Sequence, residues 1–517
     1  MRVARGCAAQ AAALFSVGAV LARPLVAQCP NGSPPPCRAQ PTARAAPSPN
    51  SVAVLYFDNL SPDTSDAYLA DGLTEQLITQ LGRLERLTVK SAAAVRRYRG
   101  AAADPQVVAR ALGVSYVVRG TAFPSSTSLR VSVELVGALP STRVWSAEYD
   151  RSAEDALALQ QDIAREIATA IAGRLRPAEQ AALAAFPTRS RDAYDHFLRG
   201  LYLLGSRERP ELLRALRELE AAVAIDPSFA RAHARIGFVY GLLLLPPNRE
   251  RSGLPADSLI ARGLAATDRA LELDPTLSDA WISRGRLLAA RYSPLYPGVR
   301  AAYERAIALD PRNAEAYNAY GTWLTLNRAD VARARAAFER AVALEPEHGI
   351  ALGNLAIAEF AARRFEEAGR WSDSALAVTP GSSGLQVNSA MIRLVLGDTA
   401  GARASAQASL RLAERPWARG IIALIALRRG DTLAARRTLD GLLASPGDPD
   451  RDRGLAVGAL LVTLGEPERA IDYLERVRPR QSGGFPLVLT YVFLDPIRSN
   501  PRFQRLVEES RPPGAPK

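Results

Sequence analysis

Side chains suited to acid–base chemistry near neutral pH are scarce in this chain of 517 residues. The three histidines, His196, His233 and His348, lie far apart in sequence, each within a helical pattern. The chain contains no H-E-x-x-H, paired C-x-x-C, Walker A, G-x-S-x-G or H-R-D motif. Packing is therefore the expected role of the histidines. We predict a protein that is not an enzyme and has no catalytic residue, metal or cofactor.

One acidic run has the spacing with which a calcium-binding loop begins: Asp448, Asp450 and Asp452. Arg453 occupies the sixth position of that loop, where a glycine makes the turn, and Ala459 occupies the twelfth, where a bidentate glutamate is needed. The run therefore predicts a solvated, helix-capping loop and no metal site.

Polar side chains also cluster where the first predicted strand ends and the next helix begins. They are Asp58, Asn59, Asp71, Gly72, Thr74 and Glu75. The carboxyl end of a strand in an α/β sheet is a common ligand position, but Asp and Thr there also cap helices. Arg96, Arg97 and Arg99 follow the second predicted strand, where they could meet a phosphate or an acidic partner, or form a solvated loop. Both interpretations of each cluster remain open.

The elements around these clusters predict one mixed α/β domain. Strands are indicated by β-rich or alternating apolar runs, at 52–57, 87–91, 115–123, 129–138 and 143–150. Helices are indicated by apolar side chains at helical spacing, at 68–84, 104–112 and 153–175.

Several strings of this domain, in their order, resemble the TolB amino-terminal-like domain of bacterial regulators. They are YLADGLTEQLITQL, YVVRGTAF, LRVSVELV, VWSAEYDR and ALQQDIAREIA. In that family the domain commonly sits between a signalling module, such as a kinase, an adenylate cyclase or a DNA-binding module, and a tetratricopeptide array. The resemblance implies such a domain over residues 51–186. It also implies an alternative function, a sensory or regulatory subunit of a signalling system that lacks its own catalytic module.

The remainder of the chain repeats itself. Prolines that end helices recur at intervals of 48, 36, 35 and 34 residues, as Pro227, Pro275, Pro311, Pro346 and Pro380. A period near 34 with small residues at helix crossings resembles the tetratricopeptide repeat (TPR) family. The predicted fold is therefore a mixed α/β domain followed by an all-α TPR superhelix, an α-solenoid over residues 187–517 with a C-terminal capping helix, and the majority of the chain is helical.

The TPR resemblance implies a concave groove lined by the first helix of each repeat, which binds a protein or peptide. The predicted groove side chains are Asp279, Ile282, Arg286, Glu315, Asn318 and Thr322. The formal net charge is +12, but the basic residues are interspersed with acidic residues along the predicted helices. This distribution argues against nucleic acid as a partner. The predicted function is an exported interaction scaffold or adaptor.

The first 50 residues predict export. Arg2 and Arg5 precede an apolar stretch, and small residues end it, so residues 1–27 are expected to be a signal peptide, and 28–50 a proline-rich linker. Cys29 and Cys37 would then form a disulfide in an oxidising compartment, the periplasm or the exterior. An uncleaved anchor is the alternative, and membrane contact is expected only in that case.

Overall fold

The computed structural model describes thirteen stretches of the chain. These are residues 47–61, 67–100, 104–124, 128–138, 142–152, 155–184, 187–204, 209–244, 255–291, 296–328, 330–445, 451–478 and 485–510. They belong to one compact unit. The predicted signal peptide, the Cys29–Cys37 disulfide, most of the linker, and Asp448 and Asp450 lie outside the described residues.

The first part of the described chain contains a six-stranded sheet. Its strands are β1 Ser51–Val54, β2 Asp58–Asn59, β3 Thr88–Val89, β4 Tyr116–Pro124, β5 Ser128–Gly137 and β6 Arg143–Ser152. The order is β3-β1-β4-β5-β6, and β2 also pairs with β4. Strands β1, β2, β3 and β4 pair in parallel, whereas β4–β5 and β5–β6 are antiparallel. Apolar and polar side chains alternate along β5, as expected for a strand with one face toward the core. Val131, Val133 and Leu135 are fully buried, and the side chains between them are not.

Helices cover both faces of the sheet. One face packs against α1 Ala67–Gly82 and α4 Ala156–Ala172, and the other against α2 Ala92–Val95 and α3 Pro105–Leu112. Helix α3 shows how sequence sets the boundaries, because the Asp104 carboxylate accepts from the Gln106 amide at 2.8 Å and Gly113, at φ 64°, ends the helix. A short helix α5, Pro177–Ala184, follows α4. The predicted mixed α/β domain is confirmed.

Sixteen helices then form eight successive pairs. They are α6 Arg191–Leu203, α7 Arg209–Ile225, α8 Ala230–Leu243, α9 Ala256–Leu273, α10 Ser278–Arg291, α11 Pro297–Leu309, α12 Ala314–Arg328, α13 Val331–Leu344, α14 Gly349–Ala361, α15 Phe365–Val378, α16 Ser383–Val395, α17 Thr399–Leu412, α18 Pro416–Arg428, α19 Thr432–Ala444, α20 Arg451–Thr463 and α21 Pro467–Val477. In each pair the first helix packs on the second. The even-numbered helices are called first helices below, and the odd-numbered ones second helices.

Small residues at the crossings allow the two helices of a pair to approach. A Cβ atom placed on Gly237 in α8 would lie 2.2 Å from Cγ2 of Thr267 in α9, and one on Gly321 would lie 2.7 Å from the Phe338 ring. First helices of adjacent pairs also pack against one another along the array, more closely than second helices do. The first helices therefore lie on the inner side of the array.

A segment that precedes the last helix crosses that inner side. Residues 485–497, here called the C-terminal strap, contain α22 Phe485–Val488 and a 3₁₀ helix Val492–Ile497. The strap contacts α12 and α20, and its Tyr491 and Phe493 rings lie 5.4 and 6.5 Å from the ring of Phe360 in α14. Phe493 also lies 5.1 Å from Trp417 in α18. The strap therefore covers the inner side of the later repeats.

The last helix, α23 Pro501–Ser510, packs against the final pair. Arg502 bridges three acidic side chains of α21, Glu468, Asp472 and Glu475, at 2.6 to 3.0 Å. Phe503 and Leu506, on the same helix, are buried. In the part of the chain that the structure describes, no helix combines the length and the apolar character that crossing a membrane requires.

Candidate interaction surface on the inner side of the repeats

Hydrogen bonds between polar side chains link each of four successive first helices, α8 to α14, to the next. At one end, Arg235 of α8 pairs with Asp279 of α10 at 2.9 Å. Arg286 of α10 donates to Glu315 of α12 at 3.2 Å. These residues are called the inner wall, together with Asn318, Thr322 and Asn354. Both of these links join one repeat to the next, so the wall is a row of polar side chains from successive repeats.

The amide side chains complete the wall. Asn318 donates to Glu315 at 3.0 Å, and Asn354 of α14 donates to the Asn318 amide oxygen at 2.9 Å and to the Thr322 hydroxyl at 3.1 Å. The side chains of Asp279 and Glu315 are 48% and 30% exposed, and that of Arg286 is 19% exposed. A partner can therefore reach the charged side chains of the wall from solvent, whereas Asn318, at 5% exposed, is buried behind them.

Phe238 and Gly241 of α8 position the two arginines. The guanidinium carbons of Arg235 and Arg286 lie 5.8 and 5.7 Å from the centroid of the Phe238 ring, within range of a cation–π interaction. A Cβ atom on Gly241 would lie 3.2 Å from Cδ of Arg286. Because Gly241 has no side chain, Arg286 can lie across α8.

Five of the six predicted groove residues belong to this wall: Asp279, Arg286, Glu315, Asn318 and Thr322. Ile282 does not, because it is 2% exposed and lies in the hydrophobic core. A first helix packs against its own second helix and against the neighbouring first helices, so few of its side chains remain on the inner side. A partner cannot contact Ile282 in this arrangement, and we remove it from the surface.

Sequence reasoning missed Arg235 and Asn354. The signal that could have found Asn354 is the repeat itself, since Asn354 follows Asn318 by the same 36 residues that separate Asp279 from Glu315. Arg235 carries no such signal. Its place in the wall depends on its contact with Asp279, 44 residues away.

The polar cluster predicted in the α/β domain is assembled between α1 and residues 96–99. Glu75 accepts a hydrogen bond from the Tyr56 hydroxyl at 2.9 Å and pairs with Arg96 at 3.3 Å, and Asp71 pairs with Arg99 at 2.6 Å. The structure therefore brings the acidic and basic members of the two predicted clusters together as ion pairs.

The other predicted members of these clusters have local or packing contacts. Thr74 accepts from the Phe57 amide at 3.0 Å, and Asn59 accepts from the Ser61 amide at 3.1 Å, while Asp58 is exposed. A Cβ atom on Gly72 would lie 2.8 Å from Leu198 of α6, so a close helix contact requires glycine there. Arg97 leaves the cluster and pairs with Glu347 at 3.4 Å. Whether a ligand binds here stays a prediction.

Burial gives Asp71 an unusual titration. Its burial raises the pKa of this carboxyl to about 6, above its ordinary value near 3.8, although Arg99 acts in the opposite direction. A raised pKa in the folded state means that protonation stabilises the fold. This contribution to the free energy of unfolding is fully present below about pH 4 and is lost as the pH rises through about 6.

Asp71→Asn is therefore expected to raise the free energy of unfolding by about 1–2 kcal/mol at about pH 8, and to change it little at about pH 4. Urea unfolding curves at the two pH values measure this. Asp58→Asn, which changes an exposed carboxyl of the same domain, is the matched control and should have no effect. An Asp71→Asn protein less stable than the wild type at about pH 8 would contradict the assignment.

The three histidines have structural contacts. His196 lies 2.8 Å from Glu218, and His233 lies 3.1 Å from the carbonyl of Pro227. The His348 ring caps α14 by accepting from the Ala351 amide at 3.2 Å, and its other nitrogen lies 3.3 Å from Glu315. In the described part of the chain, no group of three His, Cys, Asp or Glu side chains could hold a metal ion.

Eight pairs of helices at the predicted spacing, with small residues at their crossings, decide the fold of residues 191–477. The repeats have the tetratricopeptide fold. This TPR array is similar to three solved structures at TM-scores below 0.5. They are yeast Tom70 (TM-score 0.37, 13% identical, 69% of this chain and 82% of that one), an IFIT1 monomeric mutant with Gppp-AAAA (0.42, 12%, 63% and 87%) and YrrB, a TPR protein with an unusual peptide-binding site (0.27, 16%, 43% and 97%).

Two comparisons concern sequence. Residues 48–166 match the family model of the second domain of HilA/YgeH-like transcriptional regulators. The chain is 31% identical over 206 residues to a putative adenylate cyclase 3 of Rhizobium meliloti (strain 1021), which is 40% of this chain and 35% of that protein. The chain thus spans about a third of the length of this relative. The resemblance to the TolB amino-terminal-like domain stays a prediction.

Proposed function

We propose that the chain is an exported interaction scaffold or adaptor that holds a peptide or protein segment on the inner wall. The observation that carries the proposal is the continuous row of polar side chains from four first helices. An extended peptide presents an N–H or a C=O group at regular intervals. The side-chain amide of Asn354 is half-buried and can both donate and accept, so it can bind such a backbone. Asn318 is only 5% exposed, and it holds Glu315 and Asn354 in place through hydrogen bonds.

The charges of the wall favour a peptide over nucleic acid. Arg235 and Arg286 are balanced by Asp279 and Glu315. A nucleic-acid surface needs an excess of positive charge to neutralise phosphates. The balanced wall instead suits a partner of mixed charge. We therefore propose a protein or peptide partner, with no nucleic acid and no small-molecule cofactor.

Binding of a tiled peptide library to the immobilised full chain tests this proposal. Arg286→Glu and Asn354→Ala are each expected to weaken binding of the peptides that the wild type retains by about tenfold or more, because each removes a link of the wall. Glu367→Arg, on the second helix α15, is the matched control for a reversed charge and should bind as the wild type does. Unchanged binding by both wall variants would remove the wall from the site.

The compartment is also a proposal. A periplasmic or secreted location rests on the signal-like residues 1–27 and on Cys29 and Cys37. The intact mass of protein isolated from the cell envelope should correspond to a chain that begins at Gln28 and contains one disulfide. A full-length mass with free thiols, found in the cytosol, would contradict export.

A second candidate function is a sensory or regulatory subunit of a signalling system. It is favoured by the match of residues 48–166 to a domain of transcriptional regulators and by the relative named as a putative adenylate cyclase. In that case the ligand site would lie in the α/β domain, at the Asp71 and Glu75 cluster. Release of cyclic AMP from ATP by the purified chain would overturn the non-catalytic scaffold, whereas binding of a small ligand by the cluster would favour the sensor.

A further inference from the structure

The α/β domain is docked on the turns between repeats. Arg231, at the start of α8, donates to Gln76 of α1 at 3.0 Å. Arg312, in the turn before α12, donates to the carbonyl oxygen of Leu87 at 2.6 Å. Glu347, in the turn before α14, pairs with Arg97 at 3.4 Å. Because such turns recur once per repeat, these contacts form a row along the amino-terminal ends of the first helices. We call this row the docking row.

The contact with α6 is of a different kind. Tyr68 and Leu69 of α1 pack against the core of the first repeats, and Gly72 lies directly against Leu198. The Tyr68 hydroxyl also donates to Asp195 at 2.5 Å. This end of the interface buries apolar surface, which salt does not screen. The α6 contact can therefore act as a hinge while the docking row separates.

The docking row is weak for its length. The side chain of Arg97 is 41% exposed and that of Glu347 is 13% exposed, and an ion pair with one solvent-exposed member contributes little to stability. Arg231 adds a cost, because its burial, together with the nearby charges of Arg83 and Arg235, lowers the pKa of its guanidinium to about 10. Burying a poorly compensated charge carries a desolvation cost that undocking would remove.

The docking row and the inner wall share two turns. Arg312 precedes the wall residue Glu315 by three positions, and its neighbour Asn313 donates to Asp279 at 3.4 Å. Glu347 is adjacent to His348, whose ring lies 3.3 Å from Glu315. A partner that draws Glu315 toward itself therefore acts on the same turns that hold the α/β domain.

We propose that the α/β domain is a removable cover that closes one edge of the inner wall, and that partner binding at the wall and docking of the domain oppose each other. The opening does not require a partner, but its opposition to binding rests on the proposed function. A partner that favours the open state shifts the population toward it, and loss of the docking row should in turn strengthen partner binding.

Hydrogen–deuterium exchange of the full chain tests the opening. In Arg312→Ala/Glu347→Arg, exchange over residues 76–90, which lie beyond the hinge and contact the docking row, is expected to rise about tenfold, and small-angle scattering should show a larger radius of gyration. Wild-type protein in about 1 M salt should change in the same direction. The charge-swapped variant Arg97→Glu/Glu347→Arg, in which Arg312 is kept, again has opposite charges at this pair. Its exchange should lie closer to the wild-type rate than that of Arg312→Ala/Glu347→Arg. Glu367→Arg is again the matched control.

The outcomes separate this proposal from the proposed function. Unchanged exchange over residues 76–90 in the double variant and in high salt would show that the α/β domain is a fixed part of the fold, and would overturn the cover. Increased exchange without tighter binding of the retained peptides would overturn the opposition between docking and binding. Increased exchange with about threefold tighter binding would support both. If no peptide binds the wild type, the proposed function and the opposition fail, while the exchange result still decides whether the domain opens.

Discussion

Phe360→Ala is expected to lower the free energy of unfolding by about 3–5 kcal/mol, the cost typical of removing a buried ring. Phe360 is 1% exposed, and its ring lies 5.3 Å from Phe365 and 5.4 Å from Tyr491. The substitution leaves a cavity between α14 and the C-terminal strap, where neighbouring repeats hold the backbone in place. The strap should therefore loosen before the repeats do.

Urea unfolding measures the loss of stability, and hydrogen–deuterium exchange over residues 485–497 measures the loosening of the strap. Leu433→Ala is the matched control, because Leu433 is 61% exposed and its removal should change stability by less than about 0.5 kcal/mol. Equal stability of the Phe360→Ala protein and this control would show that the strap does not depend on the ring.

Gly237→Val is expected to lower the free energy of unfolding by about 3 kcal/mol, at the upper end of the cost of overpacking. The added Cβ would lie 2.2 Å from Cγ2 of Thr267. Thr267 cannot move away easily, because it is fully buried and its hydroxyl donates to the carbonyl oxygens of Gly263 and Leu264. Helices α8 and α9 must separate to admit the side chain.

Gly441→Ala is the opposite case among the described helical glycines. A Cβ atom there meets no other atom within 4 Å, so the better helix propensity of alanine should raise stability by up to about 1 kcal/mol. Thermal unfolding of the two variants and the wild type tests the pair. A Gly237→Val protein as stable as Gly441→Ala would show that the crossing tolerates a larger residue.

The sequence predicted the elements well because periodicity is local. Alternation over 129–138 predicts β5, observed at Ser128–Gly137, and the helix predicted over 153–175 is observed at Ala156–Ala172. Its end lies at Gly173, where a φ of 71° stops the helix earlier than the apolar pattern does. The turn prolines likewise predict the repeats, since each marks the end of a second helix.

The candidate site was predictable only in part. Position within a first helix identified five wall residues, but helical spacing alone could not show that Ile282 faces the core. The sequence also could not predict which charges pair. It places Arg96 and Arg99 in one cluster and Asp71 and Glu75 in another, and only the fold brings the two clusters together. The docking row depends on contacts such as that of Arg312 with Leu87, 225 residues apart. No local pattern encodes a distance of that kind.

The C-terminal strap has a consequence for how this array can evolve. Solenoids commonly gain or lose units by duplication and deletion, because each unit contacts only its neighbours. Here the C-terminal strap reaches from α12 to α20. Arg363, which has a positive φ of 65°, donates to Asp495 of the strap from both terminal guanidinium nitrogens at 2.7 Å. A duplicated unit between α12 and α20 would add roughly 10 Å per helix to that path. The strap would then fall short, so the strap fixes the number of units between α12 and α20.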